Sequence, residues 1–139
     1  MGKTLAVIVM LLFAASALAA APCVNPKVSS AELLTWKVVK TDFGRNGQAI
    51  RTVINPNPEA EIKVSLYVYM QWMEKDPTGN YVIMKGIVRY CYLDNGKFRD
   101  FFLCRTCKCW HEVDTSQWPK ENIDAMVKRL MDALDGKNL

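Results

Sequence analysis

Glu61-Ile62-Lys63-Val64-Ser65-Leu66-Tyr67-Val68-Tyr69-Met70-Gln71-Trp72-Met73 decides the fold of this chain. The even positions from Ile62 to Trp72 are all apolar, and Lys63, Ser65, Tyr67, Tyr69 and Gln71 hold the odd ones. Alternation of this kind describes a strand with one face in the core. Asp76-Pro77-Thr78-Gly79-Asn80 reads as a turn, and Tyr81 to Leu93 as a second long strand. Asp94-Asn95-Gly96-Lys97 carries the Asn-Gly pair of two-residue hairpins, both residues tolerating positive φ. Phe98 to Cys104 completes a three-strand meander.

Burial fixes an expected register. A five-residue first loop sets Trp72 opposite Met84, Val68 opposite Val88, Leu66 opposite Tyr90 and Val64 opposite Tyr92. A four-residue loop would oppose Met70 to Lys85 and Leu66 to Arg89, so the longer loop is selected. The Asn95-Gly96 turn then opposes Tyr90 to Phe101 and Val88 to Leu103 on the core face. Cys91 falls on the other face, opposite Ser65 and Asp100, and Cys104 on that face opposite Ile87. Four residues of strand span about 13 Å, beyond the roughly 4.4–6.8 Å that a disulfide allows between Cα atoms. Cys91 and Cys104 are therefore not expected to pair. Cys91 should be met from outside the meander, by Cys23 or by a sulfur of the Cys107–Cys109 segment.

Before the meander, Ser29-Ser30-Ala31-Glu32 resembles a capping box and predicts a short helical turn. Strands are expected over 35–43 and 48–54, joined by a turn at Gly44-Arg45-Asn46-Gly47. Asn55-Pro56-Asn57-Pro58 is a loop, because its prolines cannot donate to a ladder. After the meander, Ser116-Gln117-Trp118-Pro119 starts a helix with proline in the first turn. Ile123, Met126, Val127, Leu130, Met131 and Leu134 give it an apolar stripe, and Gly136 stops it. That stripe can cover part of the outer sheet face, where Ile83, Ile87, Leu93 and Phe102 would otherwise be wet. The expected fold is α+β: about five antiparallel strands in a small meander with a C-terminal amphipathic helix, disulfide-stabilised. Strand count and length fit an OB-like barrel or a cystatin-like curled sheet.

Lys3, the apolar run Leu5 to Ala15, and Ala17-Leu18-Ala19 fit a signal peptide over 1–19, leaving a single secreted domain over 20–139. The run is short for a bilayer span of roughly 20 residues, and no membrane anchor is expected after it. Without Lys3, the 18 basic residues become 17 against 14 acidic ones, a net charge of +3. Charge this small and spread along the chain does not point to nucleic acid.

Cys23, Cys91, Cys104, Cys107 and Cys109 are the disulfide candidates. An oxidising compartment predicts two bridges and one remaining sulfur. That sulfur is either a free thiol or, as favoured here, an intermolecular link that would make a disulfide-linked homodimer. Cys104, Cys107, Cys109 and His111 could bind zinc or copper, because thiolate and imidazole are the ligands those ions prefer. The secretory leader favours a disulfide hub instead, so no metal and no cofactor is assigned. A Cys-x2-Cys redox site ranks lowest, lacking the strand-then-helix setting. His111 is the sole histidine, no nucleophile-elbow motif occurs, and no catalytic residue is assigned. Tyr67, Tyr69 and Arg89 interleave aromatic and basic groups and form the candidate binding surface, with Tyr67 expected opposite Arg89. The expected function is that of a secreted, extracellular, non-enzymatic protein that binds another extracellular protein as an effector, toxin-like agent or inhibitor. The alternatives are a structural component of a secreted material and a metal-binding carrier using Cys104 to His111.

Overall fold

The computed structural model describes residues 22–137, so the expected signal peptide lies outside the described residues. Six antiparallel strands run β1 (Lys37–Phe43), β2 (Ala49–Ile54), β3 (Val64–Lys75), β4 (Tyr81–Asp94), β5 (Lys97–Cys104) and β6 (Cys109–Glu112). Each pairs with its sequence neighbour, in the order β1-β2-β3-β4-β5-β6. A single helical turn, α1 (Ser30–Leu33), precedes the sheet, and α2 (Lys120–Leu134) follows it. The architecture is a small α+β fold with one disulfide, Cys23–Cys109.

Local chemistry places these elements. Ser29 Oγ accepts from Glu32 N at 3.1 Å, capping α1. Asp76 Oδ1 accepts from the backbone of Thr78 and of Asn80, both at 2.9 Å, and closes the β3–β4 turn. Asn95 and Gly96 both have positive φ, 53° and 79°, as the tight β4–β5 turn requires. Asp114 caps a 3-10 turn over Thr115–Gln117, and Pro119 leads into α2. Gly136, at φ 75°, ends α2 with its N–H on Ala133 O. The sixth strand goes beyond the expectation, in which only Cys109 and His111 of its four residues have a role, as bridge or ligand.

The register agrees with expectation beside the turns and departs from it in mid-strand. Trp72 opposes Met84 as the five-residue loop requires, and Tyr90 opposes Phe101. Between Val68 and Tyr69, however, the ladder slips: Val68 opposes Arg89 while Tyr69 opposes Ile87, leaving Val88 as the extra residue of a β-bulge. Everything beyond it is displaced by one. Tyr67 meets Tyr90 rather than Arg89, Leu66 meets Cys91 rather than Tyr90, and Ser65 meets Tyr92 rather than Cys91.

A one-residue slip changes which side chains share a face. Tyr67, Ile87, Tyr90, Tyr92 and Phe101 pack on one face under Val28, Leu33, Trp36 and Ile62 from the segments before β1 and β3. Val64, Leu66, Cys91, Leu93 and Phe98 pack on the other under Leu130 and Ala133 of α2. Both faces carry a core: α2 covers Leu93 as expected, but Ile87 packs in the first core and Ile83 and Phe102 stay exposed. The α2 stripe faces the sheet through Ile123, Met126, Val127, Leu130 and Leu134, while Met131 is largely exposed.

The Cys23–Cys109 bridge joins β6 to the N-terminal segment across 86 positions, with Cα atoms 5.7 Å apart. Val24 N donates to Trp110 O beside it at 2.8 Å. This clamp holds the segment carrying Val28, Leu33 and Trp36 over its face of the sheet, where Tyr90 OH donates to Val28 O at 2.7 Å.

Candidate functional site

Two features stand apart from the packed body. The first is the sulfur-rich turn between β5 and β6. Cys104 and Cys109 are paired across the strands, and Lys108 takes φ 55° to close the turn. Cys107 N donates to Cys104 Sγ at 3.2 Å. Cys104 Sγ, Cys107 Sγ and a ring nitrogen of His111 all lie within 4.8 Å of one another. The Cys107 thiol and the Cys107 backbone amide, both donating to Cys104, draw its pKa down to about 7. That same thiol-to-thiol bond raises the pKa of Cys107.

His111 is 7 % exposed, and its Nδ1 lies 2.8 Å from Pro22 O. A carbonyl can only accept, so Nδ1 carries the proton and, in the neutral ring, Nε2 carries the lone pair. Nε2 is 3.7 Å from Cys109 Sγ, a disulfide sulfur with no hydrogen to give. Of the four sequence-designated ligands, Cys104, Cys107 and His111 thus converge, while Cys109 is committed to Cys23.

The sulfur inventory departs from the two bridges expected. One disulfide forms, and Cys91, Cys104 and Cys107 are thiols. Cys91 and Cys104 do not pair, as the register required, but no sulfur approaches Cys91 from outside the meander either. It is buried between Leu66 and the α2 side chains, and burial pushes its thiol up to about 12.

The second feature is an arm. β2 follows β3 only as far as Tyr69, and β5 follows β4 only from Arg89. Residues 70–75 and 81–88 therefore pair only with each other, as a two-stranded ribbon projecting past the sheet. Met73, Tyr81 and Ile83 on one face are 63 %, 65 % and 60 % exposed, and Val82 and Met84 are exposed on the other. The indole of Trp72 lies over Gly86, donates to Glu74 Oε1 at 3.0 Å, and carries the Arg105 guanidinium 5.8 Å from a ring centre. Trp72, Met84, Leu103, Cys104, Arg105 and Lys108 line a shallow hollow where the arm meets the sulfur turn.

The expected surface of Tyr67, Tyr69 and Arg89 is not assembled. Tyr67 is 2 % exposed in the first core, and Tyr69 is partly buried with the Arg51 guanidinium over its ring. Arg89 lies on the opposite face, bound to the buried carboxylate of Asp100 at 2.6 Å. The bulge at Val88 separates them. The arm was missed, although its signal was legible. β3 and β4 are far longer than their neighbours, and Met73 adds to Ile83 as apolar surface on the outer face.

No family model, no curated protein and no solved structure matches the chain. No helix among the described residues is long and apolar enough to cross a membrane.

Proposed function

We propose that this is a secreted, non-enzymatic protein that binds another extracellular protein, and that the β3–β4 arm is its binding element. The observation that carries this reading is the exposure of Met73, Tyr81, Val82, Ile83 and Met84 on a ribbon with no covering layer. Exposed apolar groups clustered on one ribbon mark interaction sites, and their hydration is unfavourable until a partner covers them. The unpaired backbone of residues 81–88 also offers an edge to which a partner strand can add. Arg105 and Lys108, with Glu74 the one carboxylate lining the same hollow, flank the root of the arm and Lys85 lies on it, so the partner surface should be apolar with an acidic rim. The nearest-neighbour strand order supports the cystatin-like curled sheet over the OB-like barrel, whose Greek-key path needs pairing between non-consecutive strands.

A photo-crosslinker placed at Ile83 tests this in the extracellular fluid of the source organism. The expected product is a saturable one-to-one adduct with one extracellular protein. Excess unlabelled chain should suppress the adduct, and excess M73E/I83E chain should not. Equal suppression by both competitors, or a homodimer as the sole adduct, would overturn the assignment.

A further inference from the structure

We propose that Cys104, Cys107 and His111 form a binding site for a thiophilic d10 cation, Zn2+ or Cu+, using two thiolates and one imidazole nitrogen. The proposal goes beyond partner binding and does not depend on it. Three independent features of the fold support it.

The first is convergence. Two sulfurs at about 2.3 Å from a tetrahedral zinc stand about 3.8 Å apart. The three donor atoms already lie within 4.8 Å of one another, so small side-chain rotations close the site without moving the strands. The second is orientation of the imidazole. Pro22 O takes the Nδ1 proton and leaves the lone pair on Nε2, the nitrogen 3.7 Å from Cys109 Sγ beside the cluster, the arrangement by which a carbonyl fixes a metal-binding histidine. Pro22 is next to Cys23, so the disulfide to Cys109 holds that carbonyl in place. The bridge thus serves the site structurally while removing Cys109 from the ligand set.

The third is preparation of the Cys104 thiolate. The Cys107 amide points at Cys104 Sγ, a hydrogen bond that favours the anionic sulfur a metal requires. Arg105 and Lys108 lie in the same turn and line one hollow with Cys104. On binding, Cys104 and Cys107 each release one proton to solvent, and no electron is transferred. Cys107 is exposed, so the ion can enter from solvent and complete its coordination with water.

The test uses the chain with its Cys23–Cys109 bridge intact, kept free of oxidant and titrated separately with Zn2+ and with Cu+ under native mass spectrometry. One ion per chain is expected, and the mass of the zinc complex should show two protons displaced. Cys104→Ser and Cys107→Ser should each weaken binding at least a hundredfold, and His111→Gln tenfold or more. Cys91→Ser should leave it unchanged. Preference for one ion over the other identifies which of the two the site takes. Should His111→Gln fail to fold, the two serine variants, at the end of β5 and in the turn after it, carry the test. Absence of stoichiometric binding by either ion would overturn the proposal. So would a Cys104–Cys107 disulfide, two mass units lighter, that forms despite saturating zinc.

Discussion

Taking the pH from 8 to 10 is expected to destabilise the protein by about 1.4 kcal/mol more with cysteine at position 91 than with alanine. Cys91 sits under α2 among Val64, Leu66, Leu93, Phe98, Leu130 and Ala133. Burial, with a smaller contribution from the Asp100 carboxylate, moves its pKa from an ordinary 9.0 to about 12. In the unfolded chain the thiol ionises near the ordinary value, while in the folded protein it stays protonated until near the raised one. The contribution of the neutral thiol to stability is therefore fully present below pH 9 and is lost as pH rises from there towards 12. Each pH unit inside that window removes about 1.4 kcal/mol. Ionisation of other groups, the buried tyrosines included, is common to both variants and cancels in the difference.

Urea unfolding of the two proteins at each pH measures the effect. A Cys104→Ser/Cys107→Ser background leaves no exposed thiolate in the folded protein to attack the Cys23–Cys109 bridge. Alkylation gives a second reading. At pH 8 about one ordinary thiol in ten is ionised, against about one in ten thousand at a pKa of 12, so Cys91 should react about a thousandfold more slowly than an exposed cysteine. Parallel loss of stability in both variants, together with alkylation of Cys91 at the rate of a cysteine in an unstructured peptide, would refute the placement of this thiol under α2.

Two further outcomes test the packing. Replacing Cys23 and Cys109 together by serine should cost 2–5 kcal/mol in urea unfolding, as a loop spanning 86 positions gives about 4.5 kcal/mol of chain entropy; an unchanged midpoint would mean that the bridge does not form. Leu130→Ala should cost about 2–5 kcal/mol, because Leu130 is fully buried. Met131→Ala, at a position 43 % exposed, should cost well under half as much, and equal losses would show that α2 packs with a different face inward.

The cores and the site were legible to different degrees. Each turn carried its own chemistry: Asn95-Gly96 could adopt paired positive φ, and Asp76 could cap a five-residue loop. Register could therefore be read outward from either turn, and Trp72–Met84 and Tyr90–Phe101 are opposed as that chemistry demands. The amphipathic stripe of α2 and its glycine stop were equally local. Convergence of Cys104, Cys107 and His111 was visible as sequence proximity, since all three lie within one hairpin. The choice of Cys109 as the sulfur that leaves that set was not visible, because its partner Cys23 arrives from the far end of the chain.

The extended stretch from Glu61 to Met73 shows the same division. Sequence alone determined that it is a strand, which begins at Val64, because alternation is a property of neighbouring residues and the pleat repeats every two. Its faces were decided by tertiary structure. No residue type marks Val88 as the bulge; it is selected because slipping there buries Tyr67, Tyr90 and Tyr92 beneath the N-terminal segment, and Cys91 beneath α2. Alternation can name two faces. Which is covered, and by what, depends on segments distant in sequence, and here both are covered until β2 and β5 end and the arm continues bare.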